Sequence, residues 1–315
     1  MNSEIRCFFQ QCSRPLRRLT TVGGGEEVFI CPRCLSPHLS DGQRRDAYPL
    51  YDNSRDFLKP AQSRAIFFDL DGTLLLRSPT VIQTWVRFLR DNGIQVEHID
   101  LEKWRKASEN ADNYVREEWD KLEGDHMSSD VVFGEKEWLS YDLAILEGLE
   151  IPHERQEELA RKARSLFSNT PIKRYPAPET ASVISFLRNK GWLTFVLTNR
   201  INDPRKLMTK LGLAPDLFHE VLYAGMFNAR KPDRVFFDQA RQWVLDRYPQ
   251  EVMADPIYVG DSWFFDMEGA HGAGWIPVFL DREKVYINQR EFPQPVAILT
   301  DLTQLRNRVE ASLLM

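Results

Sequence analysis

The 315-residue sequence has no cysteine after position 34, no apolar run of bilayer length, no internal repeat and no low-complexity tract. Without roughly 20 consecutive apolar residues no helical membrane span is expected. The polar start Met1-Asn2-Ser3-Glu4-Ile5-Arg6 lacks the apolar core of a secretory leader, so the expected setting is the reducing cytosol, with no membrane partner. Basic residues are not in excess: 41 Lys and Arg stand against 46 Asp and Glu, for a formal net charge of -5. Nucleic acid is therefore not indicated as a partner. Disorder is not indicated either, since 43% of residues are hydrophobic and 28% charged. The length suggests roughly two domains with a sizeable core.

What cysteine there is lies close together, at Cys7, Cys12, Cys31 and Cys34. In the cytosol such clustering argues for a metal rather than for disulfides. Cys31-Pro32-Arg33-Cys34 has the knuckle spacing of a structural zinc site, with Cys7 and Cys12 as the opposite pair. Four thiolates would close the coordination sphere, so the expected zinc is structural; His38 is a candidate replacement for one of them. Between the pairs, Thr20 to Ile30 reads as two short strands around a glycine turn, a ribbon. Such a module is a candidate docking point for a protein partner. Leu39 to Ser63 is polar, contains Pro49 and Pro60, and reads as linker.

The chemistry is concentrated further on. Ala65-Ile66-Phe67-Phe68 is an apolar run suited to a strand buried on both faces of a parallel sheet, and Asp69-Leu70-Asp71-Gly72-Thr73 follows directly. Residues two apart on a strand point to the same side, so Asp69 and Asp71 can converge on one spot while Gly72 supplies the sharp departure. From Ser78 to about Ser168 apolar residues recur at helical spacing. Val81, Trp85, Phe88 and Leu89 mark one helix, Trp104, Ala107, Ala111 and Val115 a second. Trp138, Tyr141, Leu146 and Leu149 mark a third, and Pro152 to Phe167 a fourth. The aromatics Trp85, Trp104, Tyr114, Trp119 and Trp138 are expected in the core of this block. Helix and strand then alternate. Further buried strands are expected at Leu193–Leu197, Glu220–Ala224, Pro256–Asp261 and Trp275–Leu280, with helices at Ala177–Lys190, Pro204–Leu211, Pro232–Arg247 and Leu302–Leu314. This is the pattern of an α/β fold, a doubly wound parallel sheet, whose strand C-termini face one crevice.

Thr198, Asn199, Lys231, Asp261 and Asp266 would meet Asp69 and Asp71 there. Clustered carboxylates need a cation among them, and all-oxygen ligation favours magnesium. Asp69 is the candidate nucleophile toward phosphorus. Asp69, Asp261 and the carbonyl of Asp71, with Asp266 as a further ligand or a water-linked one, are the candidate magnesium set. Asp71 would protonate the leaving alkoxide and later deprotonate the hydrolytic water. Lys231 would steady the developing anion, and Thr198 with Asn199 would donate to the phosphoryl oxygens. Arg200 is read as reaching either the phosphate or leaving group, or a surface salt bridge.

In this order the elements resemble the haloacid dehalogenase-like (HAD) hydrolase superfamily. Its first motif resembles Asp69-Leu70-Asp71-Gly72-Thr73, its second Thr198-Asn199, its third Lys231 before Pro232, and its fourth Gly260-Asp261-Ser262-Trp263-Phe264-Phe265-Asp266. The resemblance covers roughly residues 64 to 285. It implies a Rossmann-like core, magnesium, a phosphoaspartate mechanism on a small phosphorylated substrate, and a mobile helical cap of the C1 class. The expected layout is a zinc-ribbon-like module at 1–45, a linker at 46–63, the core at 64–77 and 171–315, and the cap at 78–170. The cysteine ribbon is not part of the usual family plan. A dehalogenase is disfavoured because displacing halide needs no general acid at Asp71. A phosphonatase would need a cap lysine with a depressed pKa, and none of Lys103, Lys106, Lys121 and Lys136 stands in an apolar run. A phosphomutase, or an interaction protein carrying a regulatory hydrolase domain, remains as the alternative reading.

Overall fold

The computed structural model describes residues 65–121, 135–169, 171–248, 256–286, 291–292 and 296–313, together with strands at 17–21, 27–30, 37–39 and 48–49. Cys7, Cys12, Cys31 and Cys34, and the side chain of His38, lie outside the described residues, and with them the expected zinc site. Strands β1 (Arg17–Thr21), β2 (Glu27–Ile30) and β3 (Pro37–Leu39) form an antiparallel sheet. The first two flank the glycine turn of the expected ribbon. β4 (Tyr48–Pro49) falls within the stretch read as linker and pairs antiparallel with Glu291–Phe292.

β5 (Ala65–Phe68) is wholly buried, as its unbroken apolar run requires. β6 (Leu75–Ser78) follows, and then four helices: α1 (Val81–Asp91), α2 (Leu101–Asp120), α3 (Glu135–Gly148) and α4 (His153–Asn169). Local chemistry sets their starts. Thr80 and Gln83 close a capping box on α1, and Asp100 caps α2 by accepting from the Lys103 amide. The buried faces fall on the expected positions, Trp85, Phe88 and Leu89 on α1 and Trp104, Ala107, Ala111, Val115 and Trp119 on α2. At Gly148 a side chain would run into the Ala107 backbone, so glycine there lets α3 approach α2 closely.

β7 (Lys173–Pro176) returns antiparallel to β6 after the four helices, a two-stranded pairing the sequence reading did not contain. Next come α5 (Thr180–Asn189), β8 (Leu193–Thr198), α6 (Arg205–Leu211), β9 (Glu220–Tyr223), α7 (Ala224–Phe227), α8 (Arg234–Leu245) and β10 (Ile257–Gly260). A π-helical turn at Trp263–Glu268 leads into α9 (Gly269–Gly272), β11 (Ile276–Leu280), β12 (Glu291–Phe292), β13 (Ala297–Leu299) and α10 (Leu302–Leu313). The main sheet has six strands in the order β13-β11-β10-β5-β8-β9, every pair parallel. The five expected strands are present, and β13 is an addition.

Side-chain alternation along β5 divides the core. Ile66 and Phe68 join Val183, Ile184 and Leu187 of α5 and Leu302, Leu305 and Val309 of α10 on one face. Phe67 joins Phe236, Phe237 and Ala240 of α8 and residues of α1 to α4 on the other. Helices thus cover both faces of the sheet, which leaves its C-terminal edge as the place where polar groups can gather. Among the described residues no helix is long and apolar enough to cross a membrane.

Candidate active site

β5 lies between β10 and β8, with Phe68 in register with Val259 and with Val196. Asp69 and Asp261 directly follow β5 and β10 and Thr198 ends β8, so the three emerge at one edge of the sheet. The Asp69 amide donates to the Val259 carbonyl at 2.9 Å, extending the ladder to the nucleophile candidate itself. Carboxylate oxygens of Asp69, Asp261 and Asp266 come within 4.8 Å of one another.

Lys231 joins them. Its Nζ donates to Asp69 Oδ1 and Asp266 Oδ1, both at 2.6 Å, and to the Tyr258 hydroxyl at 2.8 Å. All three donors of the ammonium are used, at a side chain only 3% exposed. The loop carrying Lys231 is clamped by Asn199, whose side chain accepts from the Lys231 amide at 2.7 Å and donates to its carbonyl at 3.0 Å. Asn199 was expected as a phosphate donor; here it also sets the position of the lysine. Asp266 is committed at both oxygens, with Oδ2 accepting from the Ser262 amide at 2.9 Å. Thr73 Oγ1 donates to Asp261 Oδ1 at 2.9 Å. At Gly72, with φ +88°, any side chain would land on the Asp261 carboxylate, so glycine is required both for the turn and for the approach of β10.

Three carboxylates, Asp69 and Asp266 buried and Asp261 exposed to the cleft, stand against one ammonium and leave two negative charges. Burial, with Asp266 adding to it and Lys231 opposing it, pushes Asp69 up to about 7. Asp261 is exposed at the cleft but ringed by protein, and that partial desolvation, together with the charges of Asp69 and Asp266 beside it, raises its pKa. Burial works against the charged amine of Lys231, but Asp266 and Asp69 outweigh it and hold the group above its usual value. An all-oxygen pocket with two uncompensated charges fits a hard divalent cation held by Asp69, Asp261 and Asp266.

The second carboxylate of the first motif takes a different partner. Arg200 grips Asp71 with a fork, Nε to Oδ2 at 2.6 Å and Nη2 to Oδ1 at 2.7 Å. Arg174 stands 4.0 Å from the same carboxylate. Of the two roles read for Arg200, phosphate contact and ion pair, the structure places it in an ion pair, at the cleft rather than on the outer surface.

A cavity of about 570 Å³ opens over this floor and also touches Trp119, Trp138, Arg230 and Phe265. A second, of about 550 Å³, shares Asp71, Asp261 and Ser262 with it and runs beneath the four-helix block along Trp85, Trp104 and Tyr141. The aromatics expected as core thus divide: Trp85, Trp104 and Trp119 are buried, Tyr114 is half-buried and Trp138 is 38% exposed. The four tryptophans all border a cavity. The wall is locked to the floor, since Trp119 Nε1 donates to Asp233 Oδ1 at 3.1 Å and Arg116 pairs with Glu268. Sequence reasoning missed Tyr258, whose hydroxyl donates to the Leu197 carbonyl at 2.8 Å while accepting from Lys231, and it missed Arg230. The only signal for Arg230 was its place beside Lys231.

A profile of haloacid dehalogenase-like hydrolases matches residues 63–274. The chain belongs to the haloacid dehalogenase-like hydrolases. Among curated proteins, this HAD-like hydrolase is 29% identical over 89 residues to the uncharacterized protein YMR130W of Saccharomyces cerevisiae, across 26% of this chain and 30% of that one. Among solved structures it is similar to the 2-haloacid dehalogenase of Pseudomonas syringae, with 21% identity, 79% of this chain and 99% of that one covered, and a TM-score of 0.40. It is also similar to a HAD phosphatase from Thermococcus onnurineus, with 20% identity, 78% and 96% covered, and a TM-score of 0.40.

Proposed function

We propose that this HAD-like hydrolase is a magnesium-dependent phosphatase, acting on a small phosphomonoester in the cytosol through an aspartyl phosphate on Asp69. The observation that carries this reading is the second carboxylate: Asp71 borders the same cavity as Asp69, and a halide leaves without a general acid whereas an alkoxide does not. Magnesium held by Asp69, Asp261 and Asp266 would offset the charge of the phosphoryl oxygens. Lys231 takes up Asp69 Oδ1 and leaves the other oxygen of the carboxylate to attack phosphorus. As the new P–O bond forms, the bond to the alkoxide breaks and Asp71 delivers its proton there. Water then attacks the phosphorus of the aspartyl phosphate, Asp71 takes a proton from it, and Asp69 leaves with its electron pair as inorganic phosphate departs. The Arg200 fork must open for each of these transfers. Thr198, Asn199 and Lys231 steady the transferring group.

In this reading residues 64–77 and 171–315 are the catalytic core, 78–170 a cap of the C1 class, and 1–45 a module joined by a linker at 46–63. With magnesium, p-nitrophenyl phosphate should release inorganic phosphate and Asp69→Asn should reduce this to background. Survival of turnover would remove Asp69 as the nucleophile. Phosphate release also separates the phosphatase from a mutase, which isomerises with little release, and chloride release from 2-chloropropionate would identify a dehalogenase instead.

Cys7, Cys12, Cys31 and Cys34 are proposed to hold one structural zinc, in a module fit for a protein partner. Metal analysis should find about one zinc per chain, lost on joint Cys31→Ser and Cys34→Ser replacement. Intact thiols without zinc would overturn this.

A further inference from the structure

Three cationic side chains border the 570 Å³ cavity: Lys231, Arg200 and Arg230. Two of them are already used. The ammonium of Lys231 gives its three donors to Asp69, Asp266 and Tyr258, and the fork of Arg200 closes on Asp71. Arg230 differs. It is 9% exposed, its Nε is buried without a hydrogen-bond partner, and among the described residues its guanidinium makes no hydrogen bond or ion pair. It lies over the face of Trp119, 5.1 Å from the ring centroid, and the nearest countercharge is Asp233. The nearby Asp233 gives Oδ1 to the Trp119 indole, which fixes the ring on which the guanidinium lies. The Nε is buried with its donor unfilled while the rest of the guanidinium reaches the cavity, so an anion entering there gains charge-assisted hydrogen bonds.

The place of Arg230 argues against the transferring phosphoryl group as that anion. Lys231 turns to the strand-end floor, whereas Arg230 lies over Trp119 at the end of α2. We propose that Arg230 receives a second anionic group of the substrate, so that the preferred ester is a phosphate monoester whose alcohol part carries a carboxylate or another phosphate. This rests on the phosphatase reading and adds the substrate class to it. A planar guanidinium offers two parallel donors to either group, and stacking on Trp119 leaves its edge as the donor surface.

The test compares three esters built on one carbon skeleton, with magnesium: glycerol 3-phosphate, 3-phosphoglycerate and glycerol 1,3-bisphosphate. Wild-type kcat/KM should favour one of the two anion-bearing esters over glycerol 3-phosphate by about tenfold or more, as expected of a charge-assisted hydrogen bond. Which of the two is favoured separates carboxylate from phosphate. Arg230→Gln should bring that ratio close to one, mainly through KM, and Arg230→Lys should recover part of it. A wild-type ratio of one, or a ratio unchanged in Arg230→Gln, would overturn the proposal. Binding of the same esters to the Asp69→Asn protein, measured by calorimetry, needs no turnover. If no ester is hydrolysed the phosphatase reading fails, while the calorimetric ratio, with and without Arg230→Gln, still decides the anion site.

Discussion

The neighbouring strands β10 and β11 both run into an aspartate, and the two carboxylates have opposite fates. Asp261 emerges beside Asp69 and Asp266, takes one hydrogen bond from Thr73, and is left among like charges. Asp281 folds back on its own loop, where its oxygens accept from the amides of Val285 at 2.9 Å and Tyr286 at 2.7 Å. A strand-end carboxylate in this fold is available for chemistry when the loop behind it does not consume its oxygens. That is the difference between a ligand and a loop cap.

The largest effect that can break this comparison is on turnover at Asp261. Asp261→Asn should lower magnesium-dependent kcat/KM by at least the roughly tenfold to hundredfold that loss of even an outer partner of a metal ligand costs. The same change should raise the melting temperature in the absence of magnesium, because it removes one of the repelling charges. A drop in both quantities would count against the proposed cation site. Asp281→Asn should do the reverse. An amide can accept from one of the two N–H groups but sets its own N–H against the other, so stability should fall by about 1–2 kcal/mol in denaturant titrations with kcat retained.

A pH-dependent effect sharpens the comparison with a buried acid remote from the cleft. Asp142 on α3 is 2% exposed, and burial pushes its pKa up to about 6 although Arg164 opposes this from 3.8 Å. The folded state therefore binds the proton more tightly than the unfolded chain, and the contribution of Asp142 to stability decreases as pH rises from about 4 to about 6. Asp142→Asn should stabilise the protein by about 1–3 kcal/mol at pH 7.5 and by progressively less toward pH 4. Equal shifts in melting temperature at both pH values would disprove it.

Asp69, Thr198 and Asp261 were legible because each stands at the end of an apolar run, where a parallel sheet places it without reference to the rest of the chain. The helices α1 to α4 were legible for the same kind of reason, since periodicity is local. β13, three residues long, and the four-residue strands β6 and β7 carry too little pattern to stand out. The helix expected from Pro232 starts at Arg234, and the one expected from Ala177 starts at Thr180. Such boundaries depend on what the preceding loop must reach, here Asn199 in the case of Lys231. Arg200 and Arg230 were not resolved from sequence because their surroundings come from far along the chain, Asp71 for one and Trp119 for the other. No local spacing encodes such a meeting.

The far end of α2 is fastened to the sheet by Arg116 on Glu268 and by Trp119 on Asp233, and each fastening lies within two residues of Asp266 or Lys231. Swinging that helix outward would therefore do more than admit solute. It would slacken the two loops that hold the ammonium against its carboxylates, so that a gaping molecule is also an idle one, and admission and reactivity become alternating phases of one cycle.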